Sequence, residues 1–447
     1  MDNRTIYALS TVFGKSGVAV VRISGADALR AVEMLSDIDV AKIKPRYAYY
    51  AKLHGLDGTP LDRALLLYFK APHTFNGEDI VEFQVHGSKA VISSILFNLS
   101  QIEDFRLAEP GEFSKRAFYN SKMDLTEAEG LADLIDAETS QQQKYALRQM
   151  DGDLKDLYTG WRQTLVGVLS HLEAYIDFPD EELPEDIICG INNTVLKVKE
   201  EIALHIAQNK FGERLKDGFR VAIIGEPNAG KSSLLNVLAN RKAAIVSDIP
   251  GTTRDAVDAY IDLNGYPVVF TDTAGLRKTE EKIEKIGVEI AKNKAFEADL
   301  IIALVDGTKP DFSSLDFIAK DKDKDKIIYV INKEDKLTQE QCSDYRKQGF
   351  LIISAKDKTG IEKLIKVITD NIAERFTANS SALITRQRYR EILSDVLQNL
   401  NLFDLSSPIE LCAEDIRLAA RSIGKITGAV EVEEILDNIF GSFCIGK

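Results

Sequence analysis

The stretch Gly225-Glu226-Pro227-Asn228-Ala229-Gly230-Lys231-Ser232 decides how this chain is read. It fits the pattern GxxxxGK[ST]. It follows the apolar run Arg220–Ile224 (RVAII) and opens the helical run Ser232–Asn240 (SSLLNVLAN). Strand, glycine-rich turn and helix in that order are the context in which this pattern cradles phosphate. Glycines let the backbone close around phosphate oxygens, and the helix N-terminus adds positive potential. Lys231 is placed to reach the β- and γ-phosphates, and Ser232 to hold Mg²⁺. Asn228, Ala229, Gly230, Lys231, Ser232 and Ser233 are the expected contacts. An ordinary glycine-rich turn is the plain alternative, and the flanking strand and helix count against it.

Three further motifs follow in order. Asp272-Thr273-Ala274-Gly275 closes the run Pro267–Thr271 (PVVFT). An acid there fits a magnesium-supporting role, and Gly275 fits a backbone approach to the γ-phosphate. Asn332-Lys333-Glu334-Asp335 follows Lys326–Ile331 (KIIYVI). A carboxylate in this position accepts hydrogen bonds from N1–H and the amino group of guanine, a donor pair that adenine lacks. Ser354-Ala355-Lys356 follows the run Leu351–Ile353 and contacts the base from the other side. The set assigns Asp272, Gly275, Asn332, Lys333, Asp335, Ser354, Ala355 and Lys356 to a GTP/GDP site. It resembles the translation-factor-like GTPases. Candidate strands Arg220–Ile224, Val268–Thr271, Leu300–Val305, Ile327–Ile331 and Leu351–Ser354 alternate with helical runs. Residues 217–376 are therefore expected to form a Ras-like α/β domain binding ligand at the strand ends.

Leu276 stands where Ras-type enzymes carry the glutamine that orients water, so another group must do that work. A monovalent cation held by Asn228 and by carbonyls of Ile245–Thr253 would stabilise transition-state charge as an arginine finger does. Asn228 as a plain turn residue is the alternative. Glu280, Glu281, Glu284 and Glu289 could each place the water, or form a solvated helical face, and spacing does not choose among them.

Around this block the texture changes. Residues 1–120 mix β-rich runs (Val18–Ile23, Ala64–Lys70, Asp79–His86) with Gly/Pro turns, as an α+β domain does. Leu125–Asp177 has helical periodicity, with Thr126 and Glu129 as a candidate capping box. Helical texture returns over Ile191–Leu215 and after Arg375. The fold class expected is multidomain α/β plus α. One helical domain, residues 121–216 and 377–447, is interrupted by the α/β domain. The run Lys320–Lys326 (KDKDKDK) reads as a solvated loop. With 56 Lys+Arg against 70 Asp+Glu, the net charge of −14 argues against a broad grip on nucleic acid. A local basic face among Arg386, Arg388 and Arg390 stays open. The four cysteines form no CxxC pair, which argues against a disulfide scaffold or zinc ribbon. No apolar run is long enough to span a bilayer, and Met1–Ser10 lacks a signal-peptide layout. A cytoplasmic protein without a membrane partner is expected.

GEPNAGKSSLLN, SDIPGTTRD, DTAGLR and Phe443–Lys447 (FCIGK) together resemble the MnmE (TrmE) family of tRNA-modification GTPases. The likeness extends to Arg22–Gly25 (RISG), Thr74–Gly87, Arg106–Thr139 and Glu173–Glu182 (EAYIDFPDEE). The resemblance implies a folate-binding, dimer-forming N-terminal domain at 1–120 and a helical domain with an inserted G domain. It implies work on the C5 position of the tRNA wobble uridine with the flavoprotein MnmG, which adds a carboxymethylaminomethyl-type group. The implied cofactors are Mg²⁺, K⁺ and 5-formyltetrahydrofolate or a related reduced folate. The resemblance further implies that K⁺ activates hydrolysis as G domains of the homodimer meet. Asn228, Ser247, Ile249 and Thr252 match the potassium positions, Ser232 and Thr253 the magnesium ligands, and Glu284 the glutamate that orients water. Ser247, Thr252 and Thr253 also border the GTP. Arg277 lies on the same switch segment as Glu284. Arg22, Glu82, Lys122 and Lys447 match folate contacts. Arg and Lys suit carboxylates, and Glu82 suits the donor edge of a pterin. Cys444 is either a thiol near the folate one-carbon unit or a small buried apolar residue.

Two functional classes follow: an enzyme whose GTP cycle drives tRNA modification, or a GTP-dependent RNA-binding switch of ribosome assembly. The second usually brings a basic module such as a KH domain with a GXXG loop, for which this sequence has no match. A pure scaffold would leave the nucleotide motifs unused.

Overall fold

Runs of Val, Ile, Leu and Phe form two six-stranded sheets among the described residues. The computed structural model describes residues 3–178, 185–209, 212–240, 258–272, 297–312, 326–377, 382–430 and 433–446. The chain divides into two compact units, Met1–Ala132 with Ile423–Lys447, and Asp133–Ser422.

In the first unit the strands are β1 (Thr5–Leu9), β2 (Ser16–Ser24), β3 (Tyr49–His54), β4 (Pro60–Phe69), β5 (Ile80–Gly87) and β6 (Phe105–Leu107). Their order is β3-β4-β5-β2-β1-β6. Only β1 and β6 pair in parallel. The three runs expected from the sequence are β2, β4 and β5. Helices Ala28–Leu35 and Lys89–Ser100 pack Val32, Leu35, Ile92 and Ile95 against Val21, Ile23 and Phe83 of the sheet. Helix Leu125–Ile135 is capped two residues earlier than Thr126 and Glu129 would place it. Glu127 N–H donates to Asp124 Oδ1 at 2.8 Å, and Asp124 N–H donates back to Glu127 Oε2 at 2.7 Å. The cap therefore falls just before Leu125, the first buried apolar residue, while Thr126 and Glu129 are buried inside the helix. Leu436 and Phe440 of helix Glu433–Gly441 pack on Leu125 and Ala128. Residues 423–447, read from the sequence with the second helical segment, thus group with residues 1–132.

In the second unit the strands are β7 (Phe219–Ile224), β8 (Asp258–Leu263), β9 (Tyr266–Asp272), β10 (Leu300–Asp306), β11 (Ile327–Asn332) and β12 (Leu351–Ile352). The order is β12-β11-β10-β7-β9-β8, parallel except for the β8–β9 hairpin. β7, β10 and β11 read as continuous apolar runs because helices cover both faces of a parallel sheet. Candidate strand Leu351–Ser354 stops at Ile352, and Ser354 instead forms an isolated bridge with Thr359. The unexpected β8 turns into β9 through Asn264 and Gly265, with φ of 52° and 93°. Gln141 N–H donates to the Gly265 carbonyl at 3.1 Å, so the first turn of helix Ser140–Met150 holds this hairpin.

Helices Asp153–Asp177, Glu185–Gln208 and Gln387–Leu402 bury a cluster of Tyr158, Trp161, His205 and Tyr389. His205 Nε2 lies 3.3 Å from Tyr158 Oη, and His205 Nδ1 lies 3.2 Å from Asn209 Nδ2. Burial, then the charge of Arg390, push the imidazole down from 6.5 to about 4. Between those two values the unfolded chain binds a proton that the folded chain refuses. Stability is full above pH 6.5 and falls as the pH drops toward 4, by up to about 3 kcal/mol. Trp161, the single tryptophan, has its ring 5.5 Å from that of His205 and reports on this cluster. Urea midpoints followed by Trp161 fluorescence should be lower at about pH 5 than at about pH 7.5. His205→Gln should remove most of the difference. Equal midpoints for the unaltered chain would contradict this account.

Candidate functional site

The sheet of the second unit places the motif loops together at the C-terminal ends of its parallel strands. The first loop leaves β7 at Gly225. A Cβ on Gly225 would lie 2.0 Å from the Leu304 carbonyl oxygen, so only glycine lets the loop pass β10 so closely. Asn228 adopts a φ of 67° and Gly230 one of 98°. A Cβ on Gly230 would come within 2.2 Å of Asn332 Nδ2. Gly230 caps helix Lys231–Ala239, and Ser232 and Ser233 lie exposed on its first turn. The positive end of the helix dipole thus meets the loop. Lys231 Nζ donates to the carbonyl oxygens of Gly225 at 2.8 Å and Glu226 at 3.0 Å. This holds the ammonium over the loop. Asp272 ends β9 and pairs in register with Ile223 of β7, two residues before Gly225.

Asn332 joins the phosphate loop to the 354–356 loop. It is buried, its Nδ2 donates to the Ala229 carbonyl at 2.8 Å, and its Oδ1 accepts from Ala355 N–H at 3.0 Å. One amide therefore fixes the spacing of the two loops with both its donor and its acceptor used. Lys333, at a φ of 71°, extends its Nζ to Asp306 Oδ2 at 2.5 Å. Exposed Asp335 accepts from Ser354 Oγ at 2.7 Å, and Ser354 Oγ accepts in turn from Asp357 N–H at 3.1 Å. The Ser354 hydrogen bond, chiefly, lowers the Asp335 carboxyl below its ordinary range, with Lys356 and Lys336 adding in the same direction. Asp335 is thus a carboxylate at neutral pH. It can accept two hydrogen bonds from a purine edge that carries an N–H beside an amino group. Asp306, 27 residues before its partner Lys333, carried no sequence signal.

The structure brings together Asn228, Ala229, Gly230, Lys231, Ser232, Ser233, the backbone of Asp272, Asn332, Lys333, Asp335, Ser354, Ala355 and Lys356. Ser247, Ile249, Thr252, Thr253, Gly275, Arg277, Glu284 and Lys447 lie outside the described residues.

In the first unit, Arg22 and Glu82 face each other across β2 and β5, with Arg22 Nε 3.0 Å from Glu82 Oε1. The Arg22 guanidinium lies 5.7 Å from the ring centroids of Phe75 and of Phe113. Exposed Lys122 runs beside Gly77, two residues along from Phe75. Nearby, Arg106 and Arg116 both bind Glu112, and Arg116 also binds Glu78, which accepts from Ser24 Oγ at 2.8 Å. Burial tends to raise the Glu112 carboxyl, but hydrogen bonds from Arg106 and the Glu109 N–H, with the charges of the two arginines, outweigh it and the net shift is downward. This network was not legible in the sequence. A carboxyl acceptor, a guanidinium and the exposed ring of Phe75 suit a flat heterocycle with a donor edge, while the Phe113 ring is fully buried behind them. Cys444 is exposed, which overturns its reading as a buried apolar residue. Its carbonyl accepts from Gly111 N–H at 3.4 Å, and Ile445 bridges Pro110.

Arg386, Arg388 and Arg390 do not form an open basic face. Arg386 pairs with Asp133 at 2.9 Å and Arg390 with Glu213 at 3.0 Å, while the Arg388 guanidinium lies 4.9 Å from the Tyr389 ring centroid.

A family model described as the MnmE helical domain matches residues 125–444, and one described as the GTP-binding protein TrmE N-terminus matches residues 5–122. The chain belongs to the MnmE family. It is 46% identical over 448 residues to the tRNA modification GTPase MnmE of Wolbachia pipientis subsp. Culex pipiens (strain wPip), covering 100% of this chain and 99% of that relative. It is 45% identical over 448 residues to the MnmE of Wolbachia sp. subsp. Brugia malayi (strain TRS), with the same coverage. With the MnmE of Paramagnetospirillum magneticum (strain ATCC 700264 / AMB-1) it shares 44% identity over 445 residues, covering 100% of both chains. The MnmE layout of TrmE N-terminal domain, helical domain and G domain fits the two sheets and the helices described above. No described helix is long and apolar enough to cross a membrane.

Proposed function

We propose that this MnmE-family GTPase hydrolyses GTP at the strand-end site. The cycle drives formation of a carboxymethylaminomethyl-type group at C5 of the tRNA wobble uridine. The observation that carries the nucleotide half is the Asn332 bridge between the phosphate loop and the 354–356 loop, with ionised Asp335 beside it. Asp335 selects guanine, Lys333 and Ala355 line the base, and Lys231 meets the β- and γ-phosphates. Water attacks the γ-phosphorus, the bond to the bridging oxygen breaks, and GDP and phosphate leave. Glu284 orients that water, the work a glutamine does in Ras-type enzymes, and Arg277 shares its segment. Bound Mg²⁺, held by Ser232 and Thr253, and K⁺, held by Asn228, Ser247, Ile249 and Thr252, would offset charge on the phosphates. Gly275 approaches the γ-phosphate.

The folate half rests on Arg22, Glu82, Lys122 and Lys447. Arg22 and Lys122 suit a glutamate tail, and Glu82 suits the donor edge of a pterin such as that of 5-formyltetrahydrofolate. Cys444 is exposed beside the Pro110–Gly111 turn and is the thiol to test for one-carbon chemistry. The protein acts as a cytoplasmic homodimer with the flavoprotein MnmG. A net charge of −14 and the ion pairs of Arg386 and Arg390 favour a partner that supplies most of the grip on tRNA.

The test is GTP hydrolysis by the purified chain in KCl and in NaCl at matched ionic strength, with and without Glu284→Ala. Potassium should stimulate turnover strongly. Glu284→Ala should lower kcat by about 10²-fold or more and leave nucleotide affinity nearly unchanged. Equal rates in the two salts would remove the cation site. Equal losses of kcat and affinity would make Glu284 a structural residue.

A further inference from the structure

We propose that Asp306 is a positioning residue for the guanine subsite, acting by fixing Lys333 before nucleotide arrives. This rests on the nucleotide reading above. Asp306 is the last residue of β10 and lies in register with Asn332 at the end of β11. Its two carboxylate oxygens are divided. Oδ1 accepts from Thr308 N–H at 3.0 Å and from Thr308 Oγ1 at 2.7 Å. Oδ2 accepts from Lys333 Nζ at 2.5 Å. The Asp306 and Lys333 side chains are 19% and 27% exposed, so the pair is shielded well beyond an ordinary surface ion pair. Neighbouring backbone is held as well: Gly307 N–H donates to the Asn332 carbonyl at 3.0 Å, and Tyr345 Oη donates to the Gly307 carbonyl at 3.4 Å.

A lysine stem has several rotatable bonds, and ordering it on ligand binding would weaken affinity. Thr308 holds the carboxylate, the carboxylate holds the ammonium, and the left-handed backbone of Lys333 sets where the stem starts. The four methylenes are therefore laid out ahead of binding as a wall beside the purine plane that Asp335 reads. Asp306 itself need not touch the nucleotide.

The test is dissociation of a fluorescent N-methylanthraniloyl-GDP from the full chain, chased with excess GDP. Asp306→Ala should speed release roughly tenfold and raise KM for GTP, with kcat moving far less. Asp306→Asn keeps the shape and the Thr308 contacts, so it should fold normally and release nucleotide faster. Asp306→Glu should recover part of the loss. The deciding arm is Lys333→Ala with and without Asp306→Ala. If Asp306 acts through Lys333, the double variant releases nucleotide no faster than Lys333→Ala alone. Additive effects, or unchanged release from both Asp306→Ala and Asp306→Asn, would overturn the proposal. No binding of the probe to the unaltered chain would overturn the nucleotide reading and this inference together, an outcome distinct from normal binding that Asp306 variants leave unchanged.

Discussion

Lys231→Ala should lower kcat/KM for GTP by about 10²–10³-fold, the largest loss expected from any single side chain of the phosphate loop. Lys231 Nζ sits 2.8 and 3.0 Å from the carbonyl oxygens of Gly225 and Glu226, so its charge is already collected at the loop before phosphate arrives. Charge on the transferring phosphoryl group spreads onto oxygens that this ammonium faces. A preplaced donor there gains without reorganising during reaction. Lys231→Arg should recover little, because a planar guanidinium cannot occupy the position of a compact ammonium bonded to two carbonyls. Steady-state phosphate release, together with nucleotide affinity, checks both variants. Near-normal turnover by Lys231→Ala would remove the loop from the mechanism.

The second large effect is a change of base preference. Asp335→Asn should weaken GDP binding by roughly 10²–10³-fold, because two charge-assisted hydrogen bonds to N1–H and the amino group are lost. The amide NH₂ would instead oppose the exocyclic amino group of guanine, donor against donor. Xanthine carries a carbonyl at that carbon, and the new amide can donate to it. Xanthosine diphosphate should therefore bind the variant better than GDP does, reversing the order for the unaltered chain. Ser354 can still donate to an Asn oxygen, so the loop contact survives and the effect reads base recognition. Competition of GDP and xanthosine diphosphate against a labelled nucleotide measures it. Equal loss of affinity for both would mean that Asp335 supports the loop and does not read the base.

Most of the G-domain sheet was legible because its strands are buried on both faces. Val221, Ile223, Ile302, Leu304 and Val330 sit in continuous apolar runs ending at loops whose residue types have few other uses. The strand that escaped, β8, alternates in DAYIDL, and its turn is an Asn-Gly pair, a hairpin signal present in the sequence. The end of β12 was misplaced because Ser354 leaves the sheet to bond Asp335, a side-chain event that β propensity does not register. The cap of helix Leu125–Ile135 was misplaced because Asp124–Glu127 and Thr126–Glu129 share one spacing, and only burial separates them.

Within the candidate site, motif spacing singled out Lys231, Asn332 and Asp335 as expected contacts. It did not show that the Asn332 side chain is taken up in joining two loops, since that depends on where β7 and β12 lie around β11. In the N-terminal unit the pairing of Arg22 with Glu82 depends on the register of β2 against β5. Four residues of scattered charge carry no such information until a family resemblance selects them. Asp306 was equally silent, because it acquires a role only when parallel pairing of β10 and β11 sets it beside the segment that carries Lys333.

The most direct test of the central claim is phosphate release by the purified full chain from GTP and from ATP at equal concentration, in KCl with Mg²⁺. GTP should turn over, and ATP at least about 10²-fold more slowly, because adenine leaves the Asp335 carboxylate without its donor pair. Comparable turnover of the two nucleotides, or none of GTP, would contradict it.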